Sequence, residues 1–254
     1  MKLPQTPSSR LDGRRALVTG AGRGIGMACA ASLAQAGAEV FLVARHLDEI
    51  SEVAKAISLE GGQAHAFVLD VTSTKDVNLF FEKHDCIDVL VNNAGTNRPK
   101  PFNEVTEDDF DTLFGLNVRA AFFVARAFAM QLINHKRSGS MIQVSSQMGL
   151  VGAANRSLYC ATKHAIEGMT KALAIEFAPY GIRANTLCPT FVDTPLTHEW
   201  LQGDVFRKEV LTKIALGRVG QVEDMMAAIQ FLASDASALM TGSALVLDGG
   251  WTAA

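Results

Sequence analysis

The chain has little of what would staple it, anchor it or draw it to a polyanion. Its 254 residues include four cysteines, Cys29, Cys86, Cys160 and Cys188, scattered with no Cys-x-x-Cys pair and no histidine at ligand spacing. That pattern excludes a disulfide framework and a zinc site and suits a reducing, cytoplasmic setting. No segment holds the roughly 18 uninterrupted apolar residues of a membrane span, and the polar, proline-containing start lacks the apolar core of a signal peptide. Charge of one sign is missing too: 23 basic residues stand against 26 acidic ones, without a long run of either. A net charge of −3 leaves no footprint for nucleic acid or an anionic membrane. There is no internal repeat, no low-complexity stretch, and there are only two tyrosines, Tyr159 and Tyr180.

What is present is apolar and periodic. With 48% hydrophobic residues, the chain fits one α/β domain over 1–254, since such sheets with their helices run to about 250 residues undivided. Residues 1–10 read as a loose tail. Short β-branched or apolar runs alternate with longer helical patterns, which predicts a parallel sheet. The expected strands are Arg15–Thr19, Glu39–Val43, Ala64–Leu69, Val89–Asn92, Ser140–Ser145, Arg183–Leu187 and Ala244–Leu247. A helix with Ser157 as its N-cap carries Ala165, Ile166, Met169, Leu173 and Phe177 at the 3.6-residue period until Pro179 and Gly181 stop it. Another, from Glu107 to about His135, shows a wide apolar surface that either packs on its own sheet or meets a second subunit. Residues 189–219 break the rhythm with Pro, Gly, aromatic and charged residues, as a mobile cover over a site would.

After the first strand comes Gly20-Ala21-Gly22-Arg23-Gly24-Ile25-Gly26 and then an alanine-rich helix. The spacing is Gly-x-x-x-Gly-x-Gly on Gly20, Gly24 and Gly26, not Gly-x-Gly-x-x-Gly. The physics is shared: glycines let the backbone turn and approach a pyrophosphate closely, with helix N-terminal N–H groups aimed at it. The second strand ends Val43-Ala44-Arg45, where an NAD site would place a carboxylate for the ribose 2′-hydroxyl. Ala44 cannot serve, whereas Arg45 and Arg23 suit a 2′-phosphate, so NADP is favoured over NAD. Asp70-Val71 follows the third strand, where an adenine amino group could be bound, and Asn92-Asn93-Ala94-Gly95 closes the fourth. These are all carboxyl ends of strands, where open α/β sheets bind ligands.

Tyr159 and Lys163 stand one helical turn apart, with Ser146 thirteen positions upstream. A Tyr–Lys pair at this spacing is common on ordinary helices. Here the ammonium is expected to pull the phenol below its usual pKa of about 10, with Ser146 holding a carbonyl oxygen while Tyr159 exchanges the proton.

In this order, the glycine turn, Asn92-Asn93-Ala94-Gly95, Asn117, Ser146 and Tyr159-x-x-x-Lys163 resemble the short-chain dehydrogenase/reductase family, over about Leu11 to Gly250. The resemblance implies a Rossmann-type doubly wound sheet of seven parallel strands with helices on both faces, a nicotinamide cofactor, hydride exchange with a ketone or secondary alcohol, and a homotetramer or homodimer. By position it makes Tyr159 the general acid/base, Ser146 the stabiliser of the carbonyl oxygen, and Lys163 both the partner of the phenol and the holder of the ribose hydroxyls. Asn117 would anchor a water linking the lysine to solvent. Gly22, Ile25 and Pro189 would join the cofactor contacts, Asn93, Ala94 and Gly95 would border the adenosine and ribose, and Val192 and Thr194 the nicotinamide carboxamide. Ser145 rivals Ser146, but the spacing to Tyr159 favours the latter. The chain departs from the family in Pro189-Thr190, where Pro-Gly is usual; Thr190 is expected to restrict a backbone at φ > 0 and to narrow the pocket. The cover mixes Phe191, Leu196, Trp200, Leu201 and Phe206 with His198, Glu199, Arg207 and Lys208, a lining closest to reductases of 3-oxoacyl thioesters, with sugar or polyol dehydrogenases as the alternative. A reading of a different class is a non-catalytic nucleotide sensor on the same fold.

Overall fold

A computed structural model describes residues 1, 3–84 and 86–253. Seven strands form one sheet in the order β3-β2-β1-β4-β5-β6-β7, all parallel. They are β1 (Arg15–Thr19), β2 (Glu39–Ala44), β3 (Gln63–Val68), β4 (Val89–Asn92), β5 (Gly139–Val144), β6 (Ile182–Pro189) and β7 (Ala244–Leu247). The strands fall where the sequence places them, with ends shifted by a residue or two; β6 runs on to Pro189 because β7 pairs with its last four residues, Thr186 to Pro189. The inner strands β1 and β4 are buried along nearly their whole length and mostly apolar, as parallel strands covered on both faces are.

One face carries α1 (Gly24–Gln35), α2 (Leu47–Leu59) and α9 (Met226–Ala233), whose Leu33, Ile50 and Ile229 pack with Val18, Val40 and Val91. The other carries α3 (Thr74–Lys83), α5 (Ala121–Asn134) and α6 (Ser157–Phe177), with Phe80, Phe128 and Leu173 packed on Leu17, Leu90 and Met141. Chain order reverses between β1 and β4, and that reversal opens the crevice in which such sheets bind ligands.

Two helices differ from expectation. The segment Glu107 to His135 is not continuous: α4 (Glu107–Phe114) and α5 are joined by a π turn at Gly115–Ala120, which contains Asn117. Single π turns of this kind commonly mark functional sites. By composition this stretch is long and apolar enough to cross a membrane, yet Val124, Phe128 and Leu132 lie in the core, while Phe122 and Met130 remain exposed. The N-cap of α6 is Arg156, and Ser157 is its first helical residue.

The cover is built rather than irregular. It holds α7 (His198–Leu201) and α8 (Asp204–Lys213), and Leu201, Val210, Ile214 and Val219 form a small core of their own against Phe191, Phe206 and Trp251. Val192 bridges to Gly220, which ties the start of the cover to its end.

Candidate active site

The carboxyl ends of β1 to β6 line a cleft of about 660 Å³, within the range of ligand sites. At one end the backbone leaves β1 through Gly20, at φ +63°. A side chain on Gly26 would overlap the Gly20 carbonyl and the Asn93 amide, so the helix can start this close to the strand only with glycine there. Thr19, fully buried, accepts hydrogen bonds from the backbone N–H groups of Asn93 (2.9 Å) and Ala94 (3.0 Å) through its hydroxyl. Asn93 returns its side-chain amide to the carbonyls of Thr19 (2.9 Å) and Gly20 (3.1 Å). Asn93 therefore locks the glycine turn to the end of β4, and Thr19, which the sequence reading passed over, is the other half of that lock.

Across the mouth lie Gly22, Arg23, Gly24, Ile25, Arg45, Asp70, Val71 and Gly95, together with His46, which sequence reasoning missed. Arg45 is exposed, and Arg23 approaches Glu49 at 3.8 Å, so the cationic pair carries one counter-charge. Asp70 accepts from the N–H and hydroxyl of Thr72 (2.9 and 2.7 Å), bonds that hold its carboxyl below the usual range. Over this floor hang Pro189, Val192 and Thr194; Thr194 sits against the Gly24 turn, 3.3 Å from where a Cβ on that glycine would stand. Thr190 does not take the strained backbone expected of it, because its φ is not positive. Its N–H donates to the Leu247 carbonyl at 3.2 Å, while its hydroxyl is buried in the cleft without a partner.

Ser146, Tyr159 and Lys163 meet at the other end. Lys163 is buried, its Nζ donates to the Val144 carbonyl at 2.9 Å, and it lies 5.6 Å from the Tyr159 ring centre. Burial lowers its pKa to about 8. Burial raises the Tyr159 phenol to about 12, against smaller downward pulls from Ser146, which hydrogen-bonds it, and from the Arg156 guanidinium. The expected lowering of the phenol by Lys163 is thus not what the structure shows. The lysine turns to a backbone carbonyl, and desolvation of the phenolate outweighs the nearby charges. Tyr159 holds its proton through the neutral range.

Asn117 joins the loop after β4 to α6. Its Oδ1 accepts from the Thr96 N–H (2.9 Å), and its Nδ2 donates to the Thr96 carbonyl (2.9 Å) and the Thr162 hydroxyl (3.2 Å). Its side chain bonds to neither Lys163 nor Tyr159. Ser145 turns the other way, toward Cys188 and beneath Gly149, which leaves Ser146 as the serine at the phenol. Two further polar groups, unforeseen, stand beside these residues in the chain, behind the cleft lining rather than in it. Gln147, next to Ser146, is 1% exposed with both amide atoms unpartnered, and Arg156, one turn before Tyr159, lies under the rings of Trp200 and Phe206 at 4.9 and 6.0 Å.

Fold and cleft together define a nicotinamide-dependent oxidoreductase of the Rossmann type. A family model described as enoyl-(acyl carrier protein) reductase matches residues 20–252, and the chain belongs to the short-chain dehydrogenase/reductase family, acting on CH–OH/C=O substrates. It is 37% identical to L-xylulose reductase of Bos taurus over 96% of this chain and 98% of that one. It is 36% identical to a 3-oxoacyl-[acyl-carrier-protein] reductase of Thermotoga maritima, covering 95% and 98%. Among solved structures, gluconate 5-dehydrogenase from Burkholderia cenocepacia in complex with NADP and tartrate superposes with a TM-score of 0.93 at 36% identity, covering 97% of this chain and 98% of that one.

The residues present fit such a cofactor. The glycine turn brings the start of α1 up to the end of β1 at the cleft, where a side chain on Gly26 would overlap the Gly20 carbonyl, and the unpartnered Thr190 hydroxyl offers a hydrogen bond inside the cleft.

Proposed function

We propose that the protein is a single-domain, cytoplasmic, NADP(H)-dependent reductase of small polyhydroxylated ketones, of the sugar or polyol type. The observation that carries the substrate reading is Gln147. An amide buried beside Ser146 with neither its N–H donors nor its carbonyl acceptor used is matched by hydroxyl groups, which donate and accept at once. The oxoacyl chain of a thioester would leave both unpaired. The relatives named for L-xylulose and gluconate, and the neighbour holding tartrate, handle hydroxylated small molecules.

When bound, the cofactor supplies the hydride that a ketone carbon accepts. Around it, Gly20, Gly22, Gly24, Ile25 and Gly26 would hold the pyrophosphate, and Arg23, Arg45 and His46 a 2′-phosphate, with Asp70 and Val71 at the adenine. Asn93, Ala94 and Gly95 would border the ribose, and Pro189, Val192 and Thr194 the carboxamide. Ser146 holds the substrate oxygen, and Tyr159, protonated at neutral pH, donates its proton to that oxygen. Lys163 anchors the ribose hydroxyls, and Asn117 keeps the loop after β4 at the right distance from α6. A preference for NADP leans towards reduction as the working direction, in a cell that keeps that pool reduced. The exposed Phe110, Phe122 and Met130 on α4 and α5 support self-association to a homotetramer or homodimer, and the four free, buried cysteines a reducing compartment.

The test follows NADPH consumption with ketoses and with 3-oxoacyl thioesters. Polyhydroxylated ketones are expected to turn over, and Gln147→Ala to lower their kcat/KM at least tenfold while leaving cyclopentanone nearly unchanged. Turnover confined to the thioesters would overturn the reading.

A further inference from the structure

We propose that Arg156 reads a carboxylate on the substrate, so that the preferred ketone is a sugar acid rather than a neutral sugar. This deepens the polyhydroxy-ketone reading and rests on it.

Six charged side chains are buried among the described residues: Asp88, Asp109, Arg156, Lys163, Glu167 and Asp248. Five have hydrogen-bond partners. Asp88 accepts from Arg137 and from the Arg15 N–H, Asp109 from Lys100 and Thr106, and Asp248 from Gly250 and Thr252. Glu167 accepts from Thr186 and Cys188, and Lys163 donates to Val144. Arg156, at 7% exposure, has neither a hydrogen bond nor an ion pair for its guanidinium, and its Nη1 is sealed from solvent without an acceptor. What it does touch is aromatic: the Trp200 and Phe206 rings of the cover. Rings satisfy the face of a guanidinium but not its in-plane N–H donors. A buried cation left in that state is costly unless something else completes it.

The position says what completes it. Arg156 precedes Tyr159 by one helical turn, and its charge is felt at the phenol. Trp200 and Phe206 belong to α7 and α8, the helices of the cover. The guanidinium therefore sits between the helix start that carries the proton donor and the cover, just behind the cleft lining at Tyr159. Its fork of parallel N–H donors matches a carboxylate with two hydrogen bonds, and the flanking rings hold it in that plane. A substrate that presents its reacting carbonyl to Ser146 and Tyr159, hydroxyls to Gln147, and a terminal carboxylate to Arg156 would give the amide and the guanidinium the partners the chain does not supply.

The experiment compares 5-ketogluconate with L-sorbose, which differ only by a terminal carboxylate in place of CH₂OH, and adds fructose 6-phosphate as a phosphate-bearing ketose. In the wild type, kcat/KM with NADPH is expected to favour 5-ketogluconate at least tenfold. Arg156→Gln should abolish that preference with L-sorbose changed less than threefold, and Arg156→Lys should keep part of it. Equal turnover of the pair, a parallel loss on both in Arg156→Gln, or a preference for the phosphate overturns the proposal; the parallel loss would mean that Arg156 only pins the cover. A readout free of turnover is calorimetric titration of tartrate into the NADP⁺-loaded enzyme, expected to saturate and to weaken at least tenfold in Arg156→Gln. Absence of saturable binding also overturns it. If tartrate binds through Arg156 while no polyhydroxylated ketone reacts, the carboxylate site stands and the polyol reading falls.

Discussion

Replacing Lys163 by methionine is expected to make the nucleotide-free protein more stable at pH 7 and to abolish most of its turnover. The magnitude follows from burial. The folded pKa is about 8 against an unfolded value of about 10.4. Between those two values the folded chain binds fewer protons than the unfolded one, so wild-type stability rises with pH through the window and is lowest below about pH 8. At pH 7 the buried ammonium costs about 3 kcal/mol at roughly 1.4 kcal/mol per pKa unit. Methionine removes that cost but forfeits the hydrogen bond to the Val144 carbonyl, worth about 1 kcal/mol. A net gain of about 2 kcal/mol corresponds to a Tm rise of very roughly 4–8 °C for a chain of this size. At pH 9.5 the lysine is already neutral in the folded protein, its burial costs only about 1 kcal/mol, and the two terms nearly cancel. Urea or thermal unfolding of both proteins at equal concentration, at pH 6.5, 8 and 9.5, measures the difference. A variant less stable than wild type at pH 7, or a difference that does not shrink with rising pH, would refute the desolvation argument. Such a result would mean that Lys163 is held as a stabilising cation. The expected outcome is instead a site that trades stability for function.

Two other perturbations probe the floor of the cleft. Thr19→Val keeps the shape but strands the N–H groups of Asn93 and Ala94; unfolding should show a loss of roughly 2–4 kcal/mol, NADPH should bind more weakly, and Thr19→Ser should recover most of both. A Thr19→Val protein as stable as wild type would mean those two bonds contribute nothing. The double change of Arg23 and Arg45 to alanine should lower the NADPH-over-NADH ratio of kcat/KM at least tenfold, since each cation at a phosphate is worth about 1.5–3 kcal/mol; a ratio unchanged, or already in favour of NADH in the wild type, would end the assignment to NADP.

How much of this was legible in the sequence depends on the range of the interaction. Strands β1, β4 and β7 could be read to the residue, because an apolar run bounded by turn residues is a local signal. The glycine turn was legible for the same reason: backbone clearance depends on the absence of a side chain, which a sequence displays directly. The π turn at Gly115–Ala120 was not, since apolar residues continue across it and nothing local distinguishes i→i+5 from i→i+4 bonding. The sign of the Tyr159 shift was misjudged because spacing on a helix shows proximity of Lys163 but not where Nζ points. The tertiary fold turned it to Val144, and burial, which no local pattern records, decided the balance.

Arg156 shows the same limit from the other side. One turn upstream of Tyr159, an arginine reads as a solvated cation, the ordinary state of arginine at a helix start. Only the cover, arriving from 44 residues further on, removes it from water and sets Trp200 against it. Its meaning lies in a deficit: among the described residues every other buried charge found a partner within the chain, and this one did not. Sequence patterns record what residues are, whereas a binding site is partly defined by what its residues lack once folded. The resemblance to a family could therefore locate the carbonyl chemistry at Ser146 and Tyr159, which the chain supplies by itself. It could not name the substrate, because the groups that select it are the ones left incomplete.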